Sequence, residues 1–242
     1  MYLDEPESWH LVSKAHIVAN AAAIEALGPQ HYHHIFTVRR LKVDDYVTIS
    51  DGVGAVMLTQ VGATDLANQD KRRKGARNLG LISIASSSIL QAPDANLEMV
   101  LSLVDTDKLV EALTKLTELG VCLITLVKAR RSASVGERGD LNRINLERVD
   151  RILREAAGQC RSLILPRVRF QTMSEVLPRV TVCERGAPVM LRRPQALLIG
   201  PEGGFESDEI PESQPRVSLP GNTLRAETAA VTAAAIALSL PR

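Results

Sequence analysis

The chain has 242 residues, 45% of them hydrophobic, and a formal net charge of +1. This length allows one large domain or two modest ones with a substantial hydrophobic core. The near-zero net charge predicts no partner by itself, and the low aromatic content of 3% argues against RNA binding through stacking platforms.

Residues up to about 93 are predicted to be rich in β-strands. The stretch DYVTISDGVGAVMLTQV holds two β-type runs on either side of Asp51-Gly52, which indicates a hairpin. GLISIASSSIL is a further alternating strand, and the charged stretch NQDKRRKGARN connects the two regions. Short strands of this kind favour a small barrel or sheet.

From about residue 96, predicted strands alternate with predicted helices. LEMVLSLV is a strand, and the helix after it begins at Asp105 or Thr106 and ends at Gly120. VCLITLV is the next strand, and LERVDRILREAAGQCR is an amphipathic helix. SLILP, ALLIG and RVSL are read as further strands, and AETAAVTAAAIALSL as a helix. This alternation indicates an α/β fold with a parallel sheet.

One stretch, LLIGPEGGFESDE, ends an apolar strand in a glycine-rich loop. Gly203 and Gly204 permit positive φ or close approach by another group, and Ser207 is predicted to cap a new helix. The stretch matches no phosphate-binding fingerprint, and Glu202 would repel phosphate, so a ligand here should be neutral or cationic. Taken alone, the stretch also fits a plain β-to-α turn, although α/β proteins bind ligands at such positions.

Metal binding and membrane insertion are not predicted. The three cysteines have no zinc-site spacing, and no acid or cysteine joins His31, His33 and His34 at ligand spacing. The stretch MYLDEPESWH has no signal-peptide pattern, and no apolar run is long enough to span a bilayer. The protein is therefore expected to be cytoplasmic and to have no membrane partner.

LLIGPEGGFESDE and the later VSLPGNTLRAETAAV together resemble the two signature segments of the 16S ribosomal RNA uridine-N3 methyltransferases. That family belongs to the SPOUT superfamily of knotted, S-adenosylmethionine-dependent RNA methyltransferases. HHIFTVRRLKVDDYVTISDG, LVEALTKLTELGV and REAAGQCRSLILPRV also match, in the same order. The resemblance covers nearly the whole chain, and the two C-terminal segments are its most specific part.

The resemblance implies a two-domain homodimer that binds 16S ribosomal RNA or the small ribosomal subunit. Residues 1–93 would form a PUA-like, RNA-binding β-barrel, and residues 96–242 a SPOUT domain with a deep trefoil knot. Knots are so rare that periodicity alone could not predict one. The nearly uncharged helix TAAVTAAAIALSL independently favours a dimer, because a solvent-facing helix would carry polar residues.

The resemblance also implies the residues that hold S-adenosylmethionine. They lie in two loops: Leu198, Ile199, Gly200, Pro201, Glu202, Gly203 and Gly204 in the first, and Leu219, Gly221, Asn222, Leu224 and Arg225 in the second. Methylation of uracil N3 requires its proton to leave, so a base or an anion-stabilising group is needed. Arg225 is expected to stabilise the anion or position phosphate, and Glu202 and Glu227 are candidate bases. Glu227 also suits the first turn of a plain helix.

Contacts to RNA are expected from basic side chains in both halves of the chain. The candidates are His34, Arg39, Arg40, Arg72, Arg73, Arg130 and Arg131. Pro211 and Pro215 shorten the segment after the glycine-rich loop relative to the family, which puts substrate details in doubt. Two alternatives stay open: a knotted methyltransferase that acts on another RNA, such as transfer RNA, and a non-catalytic ribosome assembly factor.

Overall fold

The computed structural model of the chain describes residues 13–18, 29–63, 79–88, 97–102, 105–132, 145–190 and 192–241. The chain divides into two units, Met1–Ala92 with Ala157–Ile164, and Pro93–Ala156 with Leu165–Arg242. Within the described ranges no helix is both long enough and apolar enough to cross a bilayer.

The described part of the first unit is built on one four-stranded sheet. Its strands follow the order β1-β2-β3-β4, in which β1 runs parallel to β2 and the other pairs are antiparallel: β1 Ser13–Val18, β2 Tyr46–Ser50, β3 Ala55–Ala63 and β4 Leu79–Ser88. A short helix, α1 (Pro29–His33), continues into a π-helical turn over His34–Val38. The buried core of this unit contains Ile17, Ile35, Leu41, Val47, Ile49 and Val61.

The predicted hairpin is confirmed. Strands β2 and β3 pair in antiparallel register, and Ser50 lies opposite Val56. The turn is closed by Asp51, whose Oδ1 accepts hydrogen bonds from the backbone N–H groups of Val53, Gly54 and Ala55 at 2.8 to 3.0 Å. An aspartate that binds its own turn in this way is a common turn-forming device. The charged stretch of residues 68–78 lies outside the described residues.

The second unit contains a six-stranded sheet in the order β10-β8-β9-β5-β6-β7, and every neighbouring pair in it is parallel. The strands are β5 Glu98–Ser102, β6 Leu123–Val127, β7 Arg167–Phe170, β8 Val180–Cys183, β9 Ala196–Ile199 and β10 Arg216–Val217. The helices are α2 Thr106–Glu118, α3 Leu146–Cys160, whose last four residues belong to the first unit, α4 Met173–Val176, which runs into a 3₁₀ turn, and α5 Ala226–Ser239. The predicted α/β fold with a parallel sheet is confirmed.

Both faces of this sheet are covered, as expected for parallel strands. On one face, Met99, Ile124 and Leu197 pack with apolar residues of α2, α3 and α5. On the other face, Val100 and Leu198 pack with residues around α4 and with Ile210. Alternate residues of β5 and β9 therefore enter opposite cores, which explains why both strands read as continuous apolar runs.

The boundaries of α2 follow local signals in the sequence. The side chain of Asp105 accepts a hydrogen bond from the backbone N–H of Asp107 at 2.9 Å, which caps the helix start. Gly120, with φ +78°, lies just after the helix end, where a left-handed residue is favoured. Leu109, Leu113 and Leu116 are buried at helical spacing, as predicted.

Three expectations from the sequence need correction, and one strand was not predicted. SLILP is not a strand, because Ser162 forms a turn with Ile164 and the strand starts only at Arg167, after Pro166. RVSL contributes only a two-residue strand, and β8 was not predicted at all. No helix begins at Ser207. The chain instead makes a turn in which the N–H of Glu209 donates to the carbonyl of Glu206, and Pro211 then blocks further helical hydrogen bonding.

Candidate functional site

A cavity of about 450 Å³ opens at the carboxyl ends of β8, β9 and β10. Its walls come from two loops that follow these strands, which we call the glycine loop (Gly200–Gly204) and the second loop (Leu219–Arg225). The end of β8 and the first turns of α5 complete it. Carboxyl ends of parallel strands are where open α/β sheets bind ligands.

Each glycine of the glycine loop has its own structural reason. A Cβ on Gly200 would lie 2.8 Å from Cε2 of Phe205, so the aromatic ring requires a bare Cα there. A Cβ on Gly203 would lie 3.3 Å from Cβ of Arg131, which is tighter than ordinary van der Waals contact. Gly204 has φ +70°, and its N–H donates to the carbonyl of Pro201 at 2.9 Å, closing the loop.

The second loop and the residue before it are held by contacts to the segment that follows β8. Nη1 of Arg185 donates to Oγ1 of Thr223 at 3.0 Å, and the N–H of Ser218 donates to the carbonyl of Pro188 at 2.8 Å. Gly221 has φ +96°, a conformation that favours glycine. Arg225 is the N-cap of α5 with an extended backbone, and its side chain makes no capping hydrogen bond.

Ion pairs fix the acidic side chains around the cavity. Nζ of Lys108 in α2 donates to Oε1 of Glu202, and this hydrogen bond raises the pKa of Lys108. Glu184 pairs in the same way with Arg216. Cys183 also lines the cavity, but burial raises the pKa of its thiol to about 12, so the thiol stays protonated at neutral pH.

Glu227 is the most unusual acid near the site. It lies in the first turn of α5, next to the cavity-lining Ala226, and is only 7% exposed. Its Oε2 is buried and has no hydrogen-bond partner among the described residues. The charge of Glu227 also contributes to the raised pKa of Lys108, which places these two groups within electrostatic reach of each other.

Most of the residues predicted to hold a cofactor lie together at this cavity. Those that line it are Ile199, Gly200, Pro201, Glu202, Gly204, Leu219, Asn222 and Leu224. Four others lie beside it rather than on its wall: Leu198, Gly203, Gly221 and Arg225. Leu198 instead belongs to the hydrophobic core, and Arg225 is exposed. Of the three candidate catalytic residues, only Glu202 lines the cavity, and Glu227 and Arg225 flank it.

Sequence reasoning missed several lining residues. They are Val182 to Arg185 at and after the end of β8, Phe205, Glu206, Ser207, Ile210, Arg216, Thr223, Ala226 and Ala229. The alternating VTVC pattern before Arg185 could have indicated a short strand ending at the site. No local signal could have placed that strand beside β9, because strand order depends on pairing between distant segments.

The predicted RNA contacts fall into three places. His34, Arg39 and Arg40 belong to the first unit, where Arg39 and Arg40 are exposed. Arg72 and Arg73 lie outside the described residues. Arg130 and Arg131 follow β6 and are paired with acids: Nη1 of Arg130 lies 2.6 Å from Oδ1 of Asp208, and Nε of Arg131 lies 2.7 Å from Oε1 of Glu206.

In the part of the chain that the structure describes, no three histidine, cysteine or acidic residues are grouped as metal ligands. His31, His33 and His34 accordingly have no acid or cysteine completing a site with them there.

Comparisons with known proteins place the chain. The family described as RNA methyltransferase domain matches residues 91–238. Ribosomal RNA small subunit methyltransferase E from Rickettsia conorii is 28% identical over 240 residues, covering 90% of each chain.

Two solved structures share the fold over most of the chain. Ribosomal RNA small subunit methyltransferase E from Neisseria gonorrhoeae, bound to S-adenosyl methionine, has a TM-score of 0.67 at 21% identity and covers 86% of this chain and 89% of its own. A Legionella pneumophila structure, described as a methyltransferase with the bound cofactor SAM, has a TM-score of 0.69 at 20% identity and covers 88% and 90%. Because the family matches well over half of the chain, the chain belongs to the RNA methyltransferase family.

Proposed function

We propose that the chain transfers a methyl group from S-adenosylmethionine to N3 of a uridine in 16S ribosomal RNA of the small ribosomal subunit. The observation that carries this proposal is the cavity between the two signature loops, in a chain related along 90% of its length to a small subunit methyltransferase. A specific uridine target is the family property that the two signature segments imply.

The residues of the cavity fit S-adenosylmethionine. The volume of the cavity lies in the range of small-molecule sites. Ile199, Leu219 and Leu224 offer apolar surface for the adenine, and Gly200, Pro201 and Gly204 also line the cavity, where their backbone can meet a ligand. No phosphate has to be bound, so an acid in the loop is compatible with the ligand.

The bound cofactor supplies a methyl group on a positively charged sulfur. The task left to the chain is to orient the uracil and to accept the proton of N3. Glu227 is a candidate acceptor because its buried Oε2 has no partner among the described residues. Glu202 is the other candidate, held in place by Lys108. Arg225 is exposed at the N-terminus of α5, where its guanidinium would stabilise a uridine anion or position a phosphate.

The proposal includes the architecture implied by the family. Residues 1–93 would act as a PUA-like RNA-binding barrel, and residues 96–242 as a SPOUT domain whose two loops belong to a deep trefoil knot. The active form would be a homodimer in the cytoplasm. Support for the dimer comes from α5, whose exposed Thr228, Ala235 and Ser239 form an outward strip without charge.

We propose that RNA is held mainly through phosphate contacts by His34, Arg39, Arg40, Arg72 and Arg73. Arg130 and Arg131 take part only where phosphate replaces the carboxylates of Asp208 and Glu206. Their contribution to RNA affinity should therefore be smaller than that of Arg39 and Arg40, which form no ion pair among the described residues.

A transfer assay tests the proposal directly. Purified protein is incubated with isotopically labelled S-adenosylmethionine and with 16S RNA, small subunits or transfer RNA from a strain that lacks the enzyme. Nuclease digestion and mass spectrometry then locate the label, and N3-methyluridine at one position of 16S RNA is expected. Label in transfer RNA or on another base would contradict the target. RNA binding without any binding of S-adenosylmethionine would favour an assembly factor.

A further inference from the structure

Two turns of the second unit are joined by a dense set of charged hydrogen bonds. We call Ala129–Ser132 the arginine turn and Glu206–Glu209 the acidic turn. The arginine turn follows β6 and is closed by hydrogen bonds between Ala129 and Ser132 in both directions, at 2.9 and 3.0 Å. The acidic turn follows the glycine loop. Because the arginine turn is closed on itself, its two arginine side chains leave from a fixed base.

Arg131 uses all of its guanidinium nitrogens in this contact. Nε and Nη2 donate to the two oxygens of Glu206 at 2.7 and 2.9 Å, a bidentate pair. Nη1 donates to the backbone carbonyl of Gly203 at 3.0 Å. One side chain therefore ties the acidic turn to the glycine loop, and bidentate pairs of this kind are among the more strongly directional polar contacts in proteins.

The absence of a side chain at Gly203 leaves room for Arg131. A Cβ at Gly203 would lie 3.3 Å from Cβ and 3.5 Å from Cδ of Arg131, so any side chain there would press on the stem of the arginine. The φ of Gly203 lies outside the left-handed region, so backbone conformation does not demand glycine at this position. The close approach of Arg131 is the reason for glycine that the contacts supply.

Arg131 does not line the cavity, whereas Glu202, Gly204, Phe205 and Glu206 around its contact points do. It therefore meets a cavity ligand only through the loop that it holds. We infer that Arg131 is a positioning residue for the cofactor: it fixes the glycine loop against the acidic turn and so sets the shape of the wall that S-adenosylmethionine meets. This inference rests on the proposed function. Supporting contacts of this kind decide how precisely a binding wall is placed.

A positioning role and a role in RNA binding predict different effects when the Arg131 side chain is removed. A phosphate ligand would lower RNA affinity when removed and leave cofactor affinity intact. A positioning residue lowers cofactor affinity in the absence of RNA. A lysine in its place keeps the charge but cannot reproduce the planar, three-way contact.

The experiment compares Arg131→Met, Arg131→Lys and a matched control, Arg154→Met, by calorimetric titration with S-adenosylmethionine and no RNA. Arg154 makes the same bidentate pair, with Asp150 at 2.7 and 2.9 Å, on α3 outside the cavity wall. Arg131→Met should weaken cofactor binding at least tenfold and Arg131→Lys by less, while Arg154→Met stays within twofold of wild type. In steady-state assays the KM for cofactor should rise while the KM for RNA stays near the wild-type value.

Wild-type cofactor affinity in Arg131→Met would overturn the inference, and so would a rise only in the KM for RNA. Failure of wild type to bind S-adenosylmethionine would instead refute the proposed function, so the two failures are distinct. If Arg131→Met does not fold, Gly203→Ala decides the question, because it displaces the Arg131 stem without removing a charge. An unchanged cofactor affinity in a folded Gly203→Ala protein would then overturn the inference.

Discussion

Gly200 lies under the ring of Phe205, so closely that a Cβ on Gly200 would be 2.8 Å from Cε2 and 3.1 Å from Cζ of the ring. Phe205 lines the cavity and also packs against the core on one face of the sheet. The end of β9, the glycine loop and the Phe205 ring therefore pack against one another at the site.

Replacing Gly200 with alanine should force the Phe205 ring to move, because the φ of Gly200 lies outside the left-handed region and the ring is the main obstacle. We expect S-adenosylmethionine affinity to fall about tenfold, since small displacements of a binding wall carry large costs. Calorimetry on Gly200→Ala, Phe205→Ala and the double variant checks this. The double variant should lose less than the sum of the two single changes, because the clash is gone. Strict additivity would contradict the contact as the cause.

Much of the second unit could be predicted from local patterns. The continuous apolar runs of β5 and β9 arise because both faces of each strand are buried, and the spacing of Leu109, Leu113 and Leu116 matches one face of α2. The position of the glycine loop at a strand end also followed from sequence. These features depend only on neighbouring residues, which is why reading along the chain recovers them.

The reasons for individual glycines could not be predicted in this way. Gly203 was expected to allow close approach of the cofactor, and the structure adds a contact with Arg131, 72 residues earlier in the chain, which packs against Gly203 and donates to its carbonyl. Arg130 and Arg131 were expected to contact RNA, and their acidic partners lie 78 and 75 residues further along the sequence. Contacts over such separations depend on strand order, which a local pattern does not contain.

A second prediction concerns Glu98, a buried carboxylate at the start of β5. Burial alone would raise the pKa of Glu98, but hydrogen bonds from Arg179, Thr125 and Arg169 outweigh it and lower the pKa from 4.5 to about 2. At pH values above the unfolded-state pKa of 4.5, the lowered pKa of Glu98 contributes about 3 kcal/mol to the free energy of unfolding. This contribution is lost as the pH falls from about 4.5 towards 2.

Glu98→Gln should therefore lower the free energy of unfolding by about 3 kcal/mol at pH 7, because it leaves two arginines without their buried partner. Urea denaturation at pH 7, 5 and 3 measures the difference, which should shrink at pH 3. Asp150→Asn breaks an exposed pair with Arg154 and serves as the control, with a loss of at most about 1 kcal/mol. An equal, pH-independent loss in both variants would contradict the assignment.

The third prediction tests the dimer through α5. Ala230, Ala233, Ala234 and Ala237 are buried within the chain, which accounts for one side of this helix. Exposed Ala235 lies on the other side, so Ala235→Arg should leave the monomer folded but place a charge and bulk at a helix–helix contact. Light scattering at micromolar concentration should show a wild-type dimer and a largely monomeric variant.

Glu155→Arg, at an exposed position of α3, is the control for a new surface arginine and should remain dimeric. Circular dichroism on both variants establishes that they are folded. A monomeric wild type at the same concentration would refute the proposed dimer, and a dimeric Ala235→Arg protein would exclude this part of α5 from the interface.

The last prediction concerns RNA binding and its dependence on salt. Because the chain has a net charge of only +1 and few aromatic residues, attraction to RNA must come from local basic clusters that contact phosphates. Replacing Arg72 and Arg73 with alanine should weaken RNA binding, and each lost phosphate contact should reduce the slope of log K against log salt by roughly 0.7 to 0.9. Replacing Arg130 and Arg131 should reduce the slope less, because Asp208 and Glu206 already neutralise these side chains.

Filter binding across a salt series, without cofactor, measures all slopes. A variant in which the exposed Arg148 and Arg151 are replaced together is the control, because it removes the same charge. A slope unchanged by loss of Arg72 and Arg73 would mean that these residues are solvated surface, and a large effect of the Arg130 and Arg131 pair alone would mean that phosphate displaces the acidic turn.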